Sequence, residues 1–334
     1  MHKRFAIRRA SAAVCAALGV LCGACTLQQE LARAHLEKGA AALEAHELDV
    51  ALAEFREAVE LDPELAEGHR RLGQAYKQAG QLEQAAEALE TAVRLDPRDV
   101  AALFDLGEVY RLLDELSKAI RAYALACQIQ PRNFELRFRL ATAYHQNGDL
   151  AQAIEQYEQA LKLDPQQAQA WSNLGAARDS RGEAYEAIHA YKRSLECNVN
   201  QPIVLVNLAT VYLNQERFAT AQRTLEAALK MAPNLSVAHE RLGYCHWREE
   251  RYDEAVRCYQ KAIELNDKNA RALAGYGVVR MTQYLRDPQQ VAYRDEAVES
   301  WHRSLELEPD QPKLRELVEK YRVRREPPVL SLGE

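Results

Sequence analysis

The chain has 334 residues, with Lys+Arg at 43 against Asp+Glu at 49, a formal charge of −6 and a pI near 5.9. That balance argues against a dedicated nucleic-acid binder, which carries a basic face. Apolar residues at 48% with aromatics at only 7% and abundant alanine suit closely packed helices and leave little of the β-branched alternation that strands need.

The first segment differs from the rest. Lys3, Arg4, Arg8 and Arg9 open the chain without an acid, and Ala10 to Gln29 carries no charge. A basic start, an apolar run and small residues at Gly23-Ala24 predict a secretory signal peptide over 1–24. Leu21-Cys22-Gly23-Ala24-Cys25 resembles the lipobox of bacterial lipoproteins, with Cys22 standing where that family prefers leucine. The resemblance implies cleavage before Cys25, acylation of that cysteine and an anchor linker over 25–31. Thr26 in place of an aspartate then implies an outer-membrane lipoprotein facing the periplasm. The competing reading is an uncleaved inner-membrane signal anchor, because the uncharged run reaches the roughly 20 residues a bilayer requires.

From residue 32 the sequence repeats. Aligned on Leu-Asp-Pro, Pro63, Pro97, Pro131 and Pro165 recur every 34 residues, and Pro233 follows two periods later. Within each period one helix carries Gly or Ala at position 8 (Gly39, Gly73, Gly107, Ala141, Gly175, Ala209, Gly243, Gly277). The second carries Ala at position 20, from Ala51 to Ala255, and a large residue at position 24: Phe55, Leu89, Tyr123, Tyr157, Tyr191, Leu225 and Tyr259. Small residues let two antiparallel helices approach closely, and the position-24 side chains are expected to fill the space toward the next hairpin. Proline at position 32 ends the second helix.

These residues form the tetratricopeptide repeat (TPR) pattern, which the chain resembles over 32–309. The resemblance implies an all-α, right-handed superhelical solenoid of about eight helical hairpins. The eighth repeat keeps Gly277 in frame, but Ala297, Trp301, Ser304 and Pro309 fit only after eight extra residues, placed near 284–291 with Asp287-Pro288 as a break. A polar capping helix over 310–323 covers the exposed end, and 324–334 reads as a flexible tail. Seventeen helices are expected.

In that family positions 2, 5, 6, 9, 12 and 13 of the first helix line a concave groove that takes extended peptides or partner helices. The candidate groove residues are therefore Arg71, Phe104, Arg111, Phe138 and Arg139 in repeats 2 to 4, and Asn173, Asn207, Arg241, Tyr244 and Trp247 in repeats 5 to 7. Phenylalanines framed by arginines suit an apolar anchor with an acidic neighbour. Asparagine offers a donor and an acceptor, so it can hold a peptide backbone without reading its sequence. The plainer alternative is a solvated helix side, with Phe104 and Phe138 packed on each other. The carboxylate clamp of chaperone-binding members is disfavoured: Asn207 and Arg241 fit, but Ser172, Ala176 and Val237 stand where lysine, asparagine and lysine are needed.

No catalytic or cofactor signature is present. His239-Glu240 lacks the second histidine of H-E-x-x-H, Gly275-Tyr276-Gly277 sits inside a repeat helix, and no phosphate loop or nucleophile elbow occurs. Cys127, Cys197, Cys245 and Cys258 show no metal spacing, with any disulfide among them left open, and Cys127, Cys197 and Cys245 read as core fillers. Arg178, His246 and Arg280 replace the usual tyrosine at position 11 and are expected to snorkel outward. The chain thus reads as a non-catalytic scaffold for other proteins, tethered through a lipid on Cys25, without metal, cofactor or nucleic acid. By architecture it resembles envelope repeat lipoproteins serving pilus, secretion or cell-wall machinery. The alternative is a substrate-presenting subunit for a glycosyltransferase or other envelope enzyme.

Overall fold

A computed structural model describes residues 27–321, which contain seventeen helices and no strand. The expected signal peptide over 1–24, Cys25 and the expected tail over 324–334 lie outside the described residues. The chain divides after Pro165 into two compact units. Unit 1 contains α1 (27–44), α2 (Leu48–Leu61), α3 (Ala66–Gln78), α4 (Leu82–Leu95), α5 (Val100–Leu112), α6 (Leu116–Ile129), α7 (Phe134–Gln146) and α8 (Leu150–Leu163). Unit 2 contains α9 (Ala168–Ser180), α10 (Ala184–Cys197), α11 (Pro202–Asn214), α12 (Phe218–Met231), α13 (Ser236–Arg248), α14 (Tyr252–Leu265), α15 (Ala270–Arg286), α16 (Val291–Leu307) and α17 (Pro312–Tyr321).

In unit 1 the small-residue rule has a concrete cause. A Cβ placed on Gly39 would meet the Phe55 ring at 2.5 Å, and one on Gly107 would meet Tyr123 at the same distance. The position-24 side chain thus lies over the position-8 glycine of its own hairpin, rather than only reaching toward the next one. Ala51, Ala85, Ala119 and Ala153 are fully buried at the same crossings. Burying these rings and alanines is what makes each amphipathic pair stable, since helices of 13 or 14 residues are marginal alone. The second helices α2 and α4 end where Asp62 and Asp96 accept a hydrogen bond from the amide two residues on, and Asp99 and Asn133 cap α5 and α7.

Unit 2 repeats the scheme, with Tyr191 over Gly175 and Tyr259 over Gly243. Here Tyr259 also reaches the next hairpin, lying against Gly275. The eight extra residues of repeat 8 are not a loop. Set against the preceding hairpin, α15 gains four residues, α16 three and the turn one, so both helices simply run about a turn further. Asp287 ends α15 as expected. Trp301 occupies the position-24 place, is buried over Gly277 and donates its Nε1–H to the Ala274 carbonyl at 3.2 Å. Leu314 and Val318 of α17 join Met281, Ala297 and Trp301 in one apolar cluster, so α17 covers the face that repeat 8 leaves open.

The turns inside the first seven hairpins each hold a left-handed residue. Gly80, Gly148 and Gly182 supply it in three, but His46 stands there at φ 61°, Asp114 at 60°, Glu216 at 57° and Glu250 at 60°. Two of these glutamates have a second role. Arg248 stacks on Phe218 with its guanidinium 4.6 Å from the ring centre and donates to Glu216 at 3.2 Å. Arg286 stacks on Tyr252 at 4.5 Å and donates to Glu250 at 2.8 Å. Each arginine belongs to the repeat after the aromatic ring it covers, so the device ties consecutive turns together.

Candidate inner faces of the two units

In unit 1 the first helices α3, α5 and α7 bring Arg71, Phe104, Arg111, Phe138 and Arg139 to one side. The charged members are already answered from within the fold. Lys77 Nζ and Gln74 Nε2 donate to the buried Asp105 carboxylate at 2.7 and 2.6 Å. Arg111 donates to Glu108 at 3.1 Å, and Arg139 lies 3.7 Å from Glu108 and 2.6 Å from Glu135. Arg71 reaches Glu67 at 3.5 Å. The Tyr123 hydroxyl also donates to Glu108. Burial pushes the Glu108 carboxyl up, but the Tyr123 hydroxyl and the two guanidiniums outweigh it and hold the group below its ordinary range.

The two phenylalanines have different surroundings, and neither packs on the other. Phe138 is buried at 7% exposure, stacked on Phe134 at 5.8 Å and tilted against Tyr157. It supports the face from below rather than offering an open ring. Phe104 packs edge-on against Tyr123 and remains partly exposed. It lines a recess of about 520 Å³ together with Val100, Leu136, Gln74, Asp105 and Asn133. The recess has an apolar floor and an amide and carboxylate rim, the composition that accepts one side chain of a partner.

In unit 2, Asn173 of α9 and Asn207 of α11 are half-buried, and neither side-chain amide makes a hydrogen bond within the described residues. Arg241 of α13 takes the same repeat position. It makes no hydrogen bond among the described residues, its Nε is fully buried, and the carboxylate in ion-pair range there is Glu240 at 3.9 Å. Tyr244 belongs to an aromatic set, with its ring 6.4 Å from Phe218 and 5.8 Å from Trp247, and its hydroxyl accepts from Arg248 at 3.0 Å.

The family model for the Cilia and flagella-associated protein 70 C-terminal domain, a TPR model, matches residues 28–275. The chain belongs to this TPR family. None of the curated proteins matches it. Among solved structures, a tetratricopeptide repeat protein from Parabacteroides merdae is similar with a TM-score of 0.61 and 17% identity, covering 77% of this chain and 98% of that one. Pseudomonas aeruginosa pilF follows at 0.52 and 20%, covering 62% of this chain and 94% of that one. The Cut9–Hcn1 hetero-tetramer of the APC/C gives 0.57 and 18%, covering 82% of this chain and 52% of that one. At these identities the likeness concerns the TPR fold.

The position-11 exceptions to the TPR pattern behave individually. His246 does not snorkel: it is 7% exposed, with Nδ1 buried and unpartnered, and burial lowers its pKa. Arg280 lies between Tyr276 and Tyr293 and pairs with Glu296 at 2.7 Å. Arg178 lies 3.7 Å from Glu183. The four cysteines of the TPR body are free, with Cys127 and Cys245 buried; burial pushes their thiols up to about 11 and about 12. No cluster with metal-ligand composition occurs among the described residues, and no described helix is long and apolar enough to cross a membrane. The residue that repeat position alone did not single out is Glu240, a carboxylate at 7% exposure that lies 3.9 Å from the Arg241 guanidinium.

Proposed function

We propose that this TPR protein is a non-catalytic scaffold that holds peptide segments or helices of other proteins against the inner helices of its repeats. The observation carrying this reading is that Asn173 and Asn207, at the same position of consecutive repeats, make no side-chain hydrogen bond among the described residues. An asparagine pair with free donors and acceptors suits an extended main chain. The Phe104 recess of unit 1 supports the same reading by offering space for an apolar side chain. Tethering at a bacterial envelope is part of the proposal and rests on the basic start and the Gly23-Ala24-Cys25 sequence.

Cross-linked capture from envelope extract tests the scaffold, comparing the parent with Asn173→Ala/Asn207→Ala after circular dichroism and Tm show equal folding. A partner held by the parent and lost by the variant supports binding at these amides. A partner held equally by both sinks the inner-face assignment. Tethering is tested by mass spectrometry of the mature N-terminus: an acylated Cys25 is expected, and an intact 1–24 segment overturns it.

A further inference from the structure

The turn from α6 to α7 borders two recesses of unit 1. The first is the Phe104 recess, whose apolar lining is Val100, Phe104 and Leu136. The second, of about 620 Å³, is bordered by Pro131, Arg132 and Phe134. Gln130 and Asn133 line both, so the two adjoin. Their charges differ. The carboxylates around the first are already held, Asp105 by Lys77 and Gln74, and Glu135 by Arg139 at 2.6 Å. A charged group entering there would have to break one of these pairs or stay unanswered, so the Phe104 recess suits an uncharged side chain. The second recess carries Arg132, which is exposed and has no carboxylate partner among the described residues. Arg137, in the first turn of α7, donates to the Pro131 carbonyl and to Gln156 instead of to an acid. Helix α6, which leads into the turn, contains no acidic residue. Unspent positive charge therefore collects beside an apolar recess.

We infer that this turn reads a two-part motif in the docked segment: a bulky apolar side chain in the Phe104 recess, next to a carboxylate that meets Arg132. This deepens the scaffold reading and rests on it. It also moves the acidic neighbour away from Arg111 and Arg139, whose charges Glu108 and Glu135 already answer. The main chain between the two parts has partners as well. Asn133 is spent on the Leu136 amide and on Gln130 Oε1, which leaves the Gln130 amide N–H groups and the Gln74 carbonyl unpaired among the described residues. One offers donors and the other an acceptor, as an extended backbone requires. Apolar burial supplies most of the affinity of such a contact, and the exposed arginine selects the charge of the neighbour.

Random dodecapeptides displayed on phage, selected on the immobilised full chain, test this. The enriched peptides are titrated against Ala101→Trp, which fills the Phe104 recess, and against Arg132→Glu. Both changes fall at exposed positions, and circular dichroism and Tm check that each variant folds as the parent does. An Asp or Glu fixed beside a Leu, Ile, Met or Phe is expected. Binding should weaken about tenfold or more on Ala101→Trp, the loss of one buried apolar side chain. On Arg132→Glu it should weaken about fivefold, the scale of an exposed ion pair turned repulsive. Replacing the peptide's acid by Lys should restore binding to Arg132→Glu. Peptides that bind either variant as tightly as the parent, or a charge exchange that restores nothing, overturn the inference. If such peptides are lost instead on Asn173→Ala/Asn207→Ala, the scaffold reading stands without it. Enrichment of no peptide at all overturns the scaffold reading, and the inference with it.

Discussion

The Lys77 ammonium lies 2.7 Å from the Asp105 carboxylate, joining the first helices of two consecutive repeats. Asp105 is 7% exposed and also receives Gln74, so this pair forms part of the repeat junction rather than a solvated surface. Asp105→Ala is expected to lower the stability of unit 1 by about 1–2 kcal/mol. That is less than for a fully buried pair, because the freed lysine can turn to water. Urea melts of the parent and variant check this; an unchanged midpoint would show that the pair contributes nothing to the junction.

Gly277 and Trp301 make a tight glycine–ring approach at the end of unit 2, with 2.4 Å between a notional Cβ and the indole Nε1. The indole is fixed by its bond to Ala274, so it cannot simply swing away. Gly277→Ala should therefore cost about 1–3 kcal/mol through overpacking. Combined with Trp301→Leu, the glycine change should cost much less than it does alone, a coupling that a double-mutant cycle measures.

Asp114 adopts a left-handed conformation at φ 60° with no glycine to ease it. Asp114→Gly is expected to stabilise unit 1 by about 1 kcal/mol by removing the Cβ strain of that conformation. Glu216→Gly, at φ 57°, should gain less, because it also discards the contact with Arg248. Thermal melts of the two variants against the parent would show whether the predicted order holds.

Two glutamates should respond to pH in opposite senses. Glu108 has its folded pKa below the ordinary 4.5, so its contribution is present above that value and disappears as pH falls toward the folded pKa. Glu240 has its folded pKa raised, so its burial favours folding of the protonated form, and that advantage is lost as pH rises from 4.5 through the folded value. At pH 7, Glu108→Gln should destabilise and Glu240→Gln should stabilise; the Glu108 effect should shrink below pH 4.5 and the Glu240 effect should shrink in acid. Melts across pH 3.5–7.5 read both slopes.

The helices were legible because the period is carried by residues with one geometric option: a ring at Tyr123 over Gly107 leaves no room for another pairing. What the pattern could not reveal was which charges spend themselves inside the fold. Arg139 and Arg241 share a position, yet one meets Glu108 and the other has Thr210 at the equivalent place in the preceding repeat. Phe104 and Phe138 likewise share a position. Phe138 is covered because Phe134 stacks on it one turn earlier, where repeat 3 has Val100. The repeat-8 insertion read as a broken segment because Asp287-Pro288 drew attention to the turn, while the residues flanking it remained helix-forming on both sides.

The arginines at the turns of repeats 6 to 8 have a mechanical consequence. Each hairpin is joined to the next by the chain itself at one end, whereas its turn end has no covalent tie. Arg248 on Phe218 and Arg286 on Tyr252 supply the missing fastening there. Each contact contributes only about 0.5–1 kcal/mol at such exposed sites, but any flexing that splays those turns apart must strip both. Along this stretch the repeats resist fanning open, and a load applied to one hairpin is shared with its neighbours instead of being absorbed at a single junction.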